Sequence, residues 1–247
     1  LAMRIGWGYL LMYFFYSILG GAPALLGHHV ITVQLLEAGL LDGSRVVIVG
    51  SEAANDDLPA MMGMQLYDFA SGTPREFGTD LAAAMKTYAR ADKPELYVGT
   101  RYYSTLKAFS AWWSASMARR FGGKASFFTV SPGANMSTNA ARHATGFKRF
   151  LFTVLMPTLG PLIGWDQPVH KGAGRYLEVL QDREGRFISG KTYTSAPGKM
   201  VGPLHEVTAD HLTDPHRQDV ALGVLDGLAG IANTATGSRR DNLSLVS

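Results

Sequence analysis

No cysteine occurs among the 247 residues, which excludes a disulfide framework, a thiolate metal site and a cysteine nucleophile. Charge is scarce too: Asp, Glu, Lys and Arg make up 17% of the chain against 47% hydrophobic residues. That balance excludes a solvated, disordered chain and allows a full core, as one domain or one domain with appendages. A clustered basic stripe is missing. The net charge is +3, but Lys and Arg are scattered, with short pairs such as Lys148-Arg149 and Arg239-Arg240, so no groove that tracks phosphates is expected and nucleic acid is not an expected partner. Between Ile5 and Val33 there is no charged residue, and Tyr9 to Leu19 is almost continuously apolar. Gly20, Gly21 and Pro23 interrupt that run and His28-His29 follow it, so a buried strand leading into a core helix is expected rather than a membrane span or export signal. A cytoplasmic location is the default expectation.

What is present reads as strands and helices in alternation. Leu1 to Ile5 is a short apolar run ending in Gly6, and Leu25 to Leu41 reads as a helix closed by Gly43. Val46-Val47-Ile48-Val49 is β-branched throughout, without polar alternation, and bounded by Gly50. Such a run predicts a parallel strand buried on both faces. Asn55 to Pro94 is polar and mixed, with one helical piece at Thr79 to Arg90. A long amphipathic helix is predicted from Tyr102 to Arg120, with Tyr102, Leu106, Phe109, Trp113 and Met117 at three- and four-residue spacing and Gly122 as its stop. Ala125 to Val130 predicts a second strand ending in the turn Ser131-Pro132-Gly133. Phe150 to Trp165 is uncharged and broken by prolines and glycines. A helix at His170 to Leu180 and a strand at Lys191 to Thr194 complete the regular part, with a mobile tail expected from Ala235.

This alternation predicts an α/β fold with an open parallel sheet, helices on both faces and ligands at the carboxyl ends of the strands. Three motifs fall at such ends: Ser51 directly after the Val46 to Val49 strand, Tyr103-x-x-x-Lys107 on the long helix, and the Pro132-Gly133 turn. The four-residue offset places phenol and ammonium on one helix face, one turn apart. Those groups suit proton transfer at a carbonyl. A free tyrosine, with a pKa of about 10, is a weak acid at neutral pH, and a neighbouring ammonium lowers it by stabilising phenolate. A serine hydroxyl beside it offsets charge developing on the carbonyl oxygen.

The order strand-Ser, Tyr-x-x-x-Lys helix, strand-Pro-Gly resembles the short-chain dehydrogenase/reductase family, over roughly Leu1 to Ser195. Leu26-Gly27-His28 is similar to the helix before the family's serine strand, and Gly172-Ala173 to the opening of the helix before its last strand. The resemblance implies a Rossmann-like doubly wound sheet and an oxidoreductase using NAD or NADP. Its catalytic residues would be Ser51, Tyr103 and Lys107, and its cofactor contacts Gly6, Tyr103, Lys107, Pro132, Gly133, Ser137 and Thr138. It also implies a carbonyl or alcohol substrate, lipophilic by the make-up of Phe150 to Trp165, and homo-oligomers through the Tyr102 to Arg120 helix.

The departures from the family are equally legible. Its glycine-rich first turn is absent, so the pattern is expected to begin near the fourth strand, Leu1 to Ile5, with weak NAD(P) binding and an exposed sheet edge. The family's tetrad asparagine falls at Ala24. The separation of 52 residues from Ser51 to Tyr103 implies an inserted segment at about 55–96. The expected organisation is a partial catalytic domain over 1–200, with a substrate lid at about 138–168, and a C-terminal extension over 201–247. A non-catalytic relative acting through packing surfaces is the alternative. His205, Glu206, Asp210, His211, Asp214 and His216 lack the spacing of a zinc site, so no metal is expected.

Overall fold

The fold, taken from a computed structural model, is described for residues 22–58, 63–67, 77–78, 80–96, 98–135, 158, 160 and 164–231. It is a mixed α/β arrangement. Helix α1 (Ala22–Glu37) leads to strand β1 (Arg45–Val49) and a one-turn helix at Glu52–Asn55; α2 (Leu81–Arg90) and α3 (Gly99–Phe121) precede β2 (Ser126–Val130). After these come α4 (Val169–Leu180), β3 (Thr192–Thr194), β4 (His205–Glu206), α5 (Asp210–Thr213) and α6 (Pro215–Ala229). The four strands form one sheet in the order β1-β2-β3-β4. β1, β2 and β3 run parallel, with Val49 beside Val130 and Val130 beside Tyr193, and β4 is antiparallel to β3.

Successive residues of a strand face opposite sides of its sheet, and β2 divides accordingly. Phe127 enters the larger core, where Trp113 of α3 meets its ring edge-on at 6.1 Å. Phe128 and Val130 enter the smaller core with Val179 of α4, Phe187 and Tyr193. The expected helices on both faces are therefore present. The expectation for the Val46 to Val49 run is corrected: β2 is the buried strand, whereas β1 is half-buried, with Val49 48% exposed. The reason is position, because among the described residues β1 has a strand neighbour on one side only.

The long helix also differs from its expected amphipathic form. From Ser104 to Met117 only Lys107 escapes full burial. Its outer side is covered by α6 and α5, and Trp112 and Trp113 are enclosed within the chain. Small residues at Ala108, Ala111 and Ala115 let neighbours approach on every side. Buried hydroxyls turn back on the helix, Ser104 donating to the Thr100 carbonyl and Ser110 to that of Leu106, the usual way a mid-helix serine is satisfied.

The sequence reading names no helix after Leu180. Yet Asp214 accepts from the His216 amide at 2.9 Å, Pro215 occupies the first turn, and Gly230 closes α6 at φ 67°. These are a complete set of start and stop signals. Ala221, Leu222 and Leu225 of α6 join the larger core. The segment around 55–96 likewise packs inward where it is described. Tyr67, Phe77 and Tyr88 form an edge-to-face cluster with centroids 5.0–5.8 Å apart, and Tyr88 stacks on Phe109 of α3. Its hydroxyl donates to the Tyr102 carbonyl at 2.7 Å, which holds the first turns of α3 in place.

No helix among the described residues is long and apolar enough to cross a membrane. The Leu1 to Ile5 run, Gly6, Ser137, Thr138, most of the 138–168 segment and the tail from Ala235 lie outside the described residues.

Candidate active site at the strand ends

The first group of residues gathers where β1 ends. Gly50 follows Val49 and donates its amide to the Val130 carbonyl at 2.8 Å. A Cβ there would lie 2.9 Å from the Thr129 methyl and 3.3 Å from the Ser131 nitrogen, so only glycine lets the end of β1 lie this close to β2. Ser51 then caps the Glu52–Asn55 turn, its Oγ accepting from the Ala53 amide at 3.2 Å. With the oxygen accepting inside the turn, the hydroxyl proton is directed elsewhere.

Helix α3 meets this strand end through Lys107. Its Nζ donates to the Val49 carbonyl at 2.8 Å, which ties the Tyr103-x-x-x-Lys107 face to the backbone two residues before Ser51. Nζ also lies 5.7 Å from the Tyr103 ring centroid, close enough for cation–π attraction. Burial lowers the lysine to about 8. His28 of α1 lies nearby, exposed at the surface, and its pKa is lowered by partial desolvation and by the Lys107 charge. Tyr103 is 38% exposed. Across the strand ends, Tyr176 of α4 is raised, first by burial and then by the Tyr103 and Glu52 charges. Lys107 thus links the Tyr103 face of α3 to the strand end that leads into Ser51.

The Pro132-Gly133 turn stands at the end of β2 and is tightly held. Gly133 has φ 72°, and a Cβ there would lie 2.6 Å from Gln167 Nε2, 2.9 Å from Arg175 Nη1 and 3.0 Å from the Met200 carbonyl. Gln167 Nε2 donates to the Pro132 carbonyl at 2.6 Å, and Asn135 Nδ2 to those of Pro132 and Gly133 at 3.2 and 2.8 Å. The Gly133 amide goes to Ser131 Oγ at 3.0 Å and the Ala134 amide to the Met200 carbonyl at 2.8 Å. Those two amides are engaged within the chain, so the turn offers a ligand its shape and side chains rather than a nest of free N–H groups.

Sequence reasoning missed the charged centre beneath these residues. Glu52 and Arg175 are only 3% and 5% exposed, with Arg175 Nη1 3.2 Å from Glu52 Oε1. The Glu52 carboxylate also accepts from Ser131 Oγ at 2.5 Å and from the Ser195 amide and hydroxyl at 3.1 and 2.8 Å. Arg175 further donates to the Ser131 carbonyl at 3.1 Å, Ser195 Oγ at 2.8 Å and the Gly202 carbonyl at 2.6 Å. A buried ion pair persists only when its remaining lone pairs and protons are satisfied, and this one is. The available signal was a lone carboxylate directly after an apolar strand, in Ser51-Glu52-Ala53-Ala54. Its partner lies 123 residues away, a pairing that one sequence does not disclose.

The residues weighed for a metal are dispersed. His205 and Glu206 form β4, His211 Nε2 lies 2.8 Å from the Ala54 carbonyl, and Asp214 caps α6. No group of three potential ligands is assembled among the described residues.

Comparison of the chain with protein-family models and with curated proteins finds no match.

Proposed function

We propose that this protein is an NAD(P)-dependent oxidoreductase of the short-chain dehydrogenase/reductase type, with a Rossmann-like sheet, acting on a lipophilic carbonyl or the corresponding alcohol. The observation that carries the reading is the Lys107 bond to the Val49 carbonyl, which brings the Tyr103 face of α3 to the strand end that presents Ser51. The donor set fits the nicotinamide-ribose end of the cofactor. Lys107 has three ammonium hydrogens, one engaged with Val49, and Tyr103 is exposed beside it. When bound, the reduced nicotinamide supplies hydride to the carbonyl carbon. Tyr103 donates its hydroxyl proton to the carbonyl oxygen, Lys107 stabilises the phenolate left behind, and Ser51 hydrogen-bonds the same oxygen and offsets its developing charge.

The test follows nicotinamide absorbance with NADH and NADPH over straight-chain aldehydes from hexanal to dodecanal. Turnover that rises with chain length and disappears in Tyr103→Phe is the expected result. Full activity in Tyr103→Phe overturns the mechanism, and preference for small polar carbonyls overturns the lipophilic substrate. A second reading, a non-catalytic relative, is favoured by the engaged amides of the Gly133 turn and by Ala24 at the family's asparagine position. It predicts no turnover with either nucleotide, and tight cofactor binding in a calorimetric titration counts against it.

A further inference from the structure

We propose that Glu52 and Arg175 are positioning residues for this site, a buried ion pair that sets where Ser51 and the Ser131 to Asn135 turn stand; the inference rests on the oxidoreductase reading above. Glu52 directly follows Ser51 in sequence, so anchoring its carboxylate restrains the backbone that carries the serine. The same carboxylate holds Ser131 Oγ at 2.5 Å, and Ser131 Oγ in turn accepts the Gly133 amide at 3.0 Å. Arg175 closes the circuit, with Nη1 bridging Glu52 and the Ser131 carbonyl and Nη2 bridging Ser195 and Gly202. The carboxyl ends of β1, β2 and β3 are thereby fixed to one another by side chains, just past the point where the ladder stops. The guanidinium suits this task because its planar fork serves several acceptors at fixed angles, which an ammonium does not. Both residues are almost fully buried, and their effect on rate passes through Ser51 and the turn.

A role in stability alone predicts something different, and the two separate experimentally. Buried ion pairs are often replaceable by apolar residues of similar volume without loss of stability. The double variant Glu52→Leu/Arg175→Met therefore removes the tethers while leaving no buried charge unpaired. With NADPH and decanal, the expected result for the folded variant is kcat lowered about 10- to 100-fold, as misplacement of reacting groups gives, with KM little changed. Glu52→Gln, whose one amide oxygen still accepts from Ser195 while its NH2 faces Ser131 Oγ as a donor, should recover part of the rate. A stable double variant with wild-type kcat overturns the proposal. If the double variant does not fold, Ser131→Ala cuts one arm only and is read by the same kcat criterion. Should the wild-type protein turn over no carbonyl, the oxidoreductase reading fails. The positioning role is then decided by amide hydrogen exchange: about 10-fold or more acceleration confined to Gly133 and Ser195 in the double variant supports it, and unchanged exchange there overturns it.

Discussion

Among the described residues stand two buried charged networks of similar size in different surroundings. The Glu52–Arg175 network sits at the strand ends and reaches Ser131, Ser195 and the backbone of a loop. The second lies in the helical layer. Asp226 of α6 accepts from His29 of α1 at 3.0 Å and from Arg120 of α3 at 2.8 Å, and Trp113 donates its indole N–H to His29 Nδ1 at 3.1 Å. Because an indole can only donate, Nδ1 must be unprotonated and Nε2 carries the hydrogen given to Asp226. That network joins three helices and touches none of Ser51, Tyr103 or Lys107. One network clamps loops beside reacting groups and the other clamps helices to one another, so equal losses of stability should have unequal consequences for turnover.

The largest effect expected is on the chemistry itself. Tyr103→Phe removes only a hydroxyl from a partly exposed side chain, so unfolding in urea should be unchanged within about 0.5 kcal/mol, while turnover should fall roughly 10²- to 10⁴-fold. Ser51→Ala should cost about 10²-fold in kcat, the scale of one oxyanion donor, with cofactor affinity preserved in calorimetric titration.

Asp226→Ala reverses that pattern. It leaves the Arg120 charge and the His29 N–H without their acceptor, and breaking a buried pair costs about 3–5 kcal/mol. Urea unfolding should show that loss, while kcat per folded molecule stays at the wild-type value. A comparable fall in kcat would erase the distinction between the two networks.

Much of the framework behind this comparison is legible in the sequence, and the failures share a cause. The β1 and β2 runs, the α3 and α4 helices and the Ser51, Tyr103, Lys107 and Gly133 positions follow from local pattern, because β-branched runs, helical offsets and Pro-Gly turns act within a few residues. The half-exposure of β1, the burial of α3 all round between Ser104 and Met117 and the Glu52–Arg175 pair depend on what packs where, over separations that local pattern does not carry. Helix α6 is an intermediate case. Its Asp214-Pro215 start is visible, but Gly223 and Gly227 dilute its apolar stripe, and the polar stretch before it obscures the approach.

A gentler probe of the strand-end site is pH. Lys107 is lowered to about 8 by burial, so turnover should fall as pH rises through about 8 and the ammonium beside Tyr103 is lost. Lys107→Arg, charged throughout that range, should flatten this limb of the pH–rate profile. The same shift has the opposite sign for stability, since the unfolded lysine keeps its proton to higher pH than the native one; raising pH from about 8 to about 10.5 should stabilise the fold.

The smallest expected effect probes the helical network at acid pH. Burial pushes His29 below its ordinary value, outweighing the pull of Asp226 in the other direction. In the unfolded chain the imidazole takes up a proton near its model value of 6.5, whereas the native one declines it until lower pH. The stability present above 6.5 is therefore lost progressively as pH falls towards the native pKa. His28 and His211 are lowered as well, both mainly by burial, and add to the same slope. His29→Gln isolates one part of it. The amide oxygen takes over acceptance from Trp113 and the amide nitrogen donation to Asp226, without a group that titrates. At pH 7 the variant should lie within about 1 kcal/mol of the wild type, as for exchange of one hydrogen-bonded pair for another. Between pH 6.5 and pH 5 its urea midpoint should fall less steeply than that of the wild-type protein. Parallel slopes would mean that native His29 accepts its proton as readily as the unfolded chain does, and that the Trp113 bond to Nδ1 does not hold it neutral.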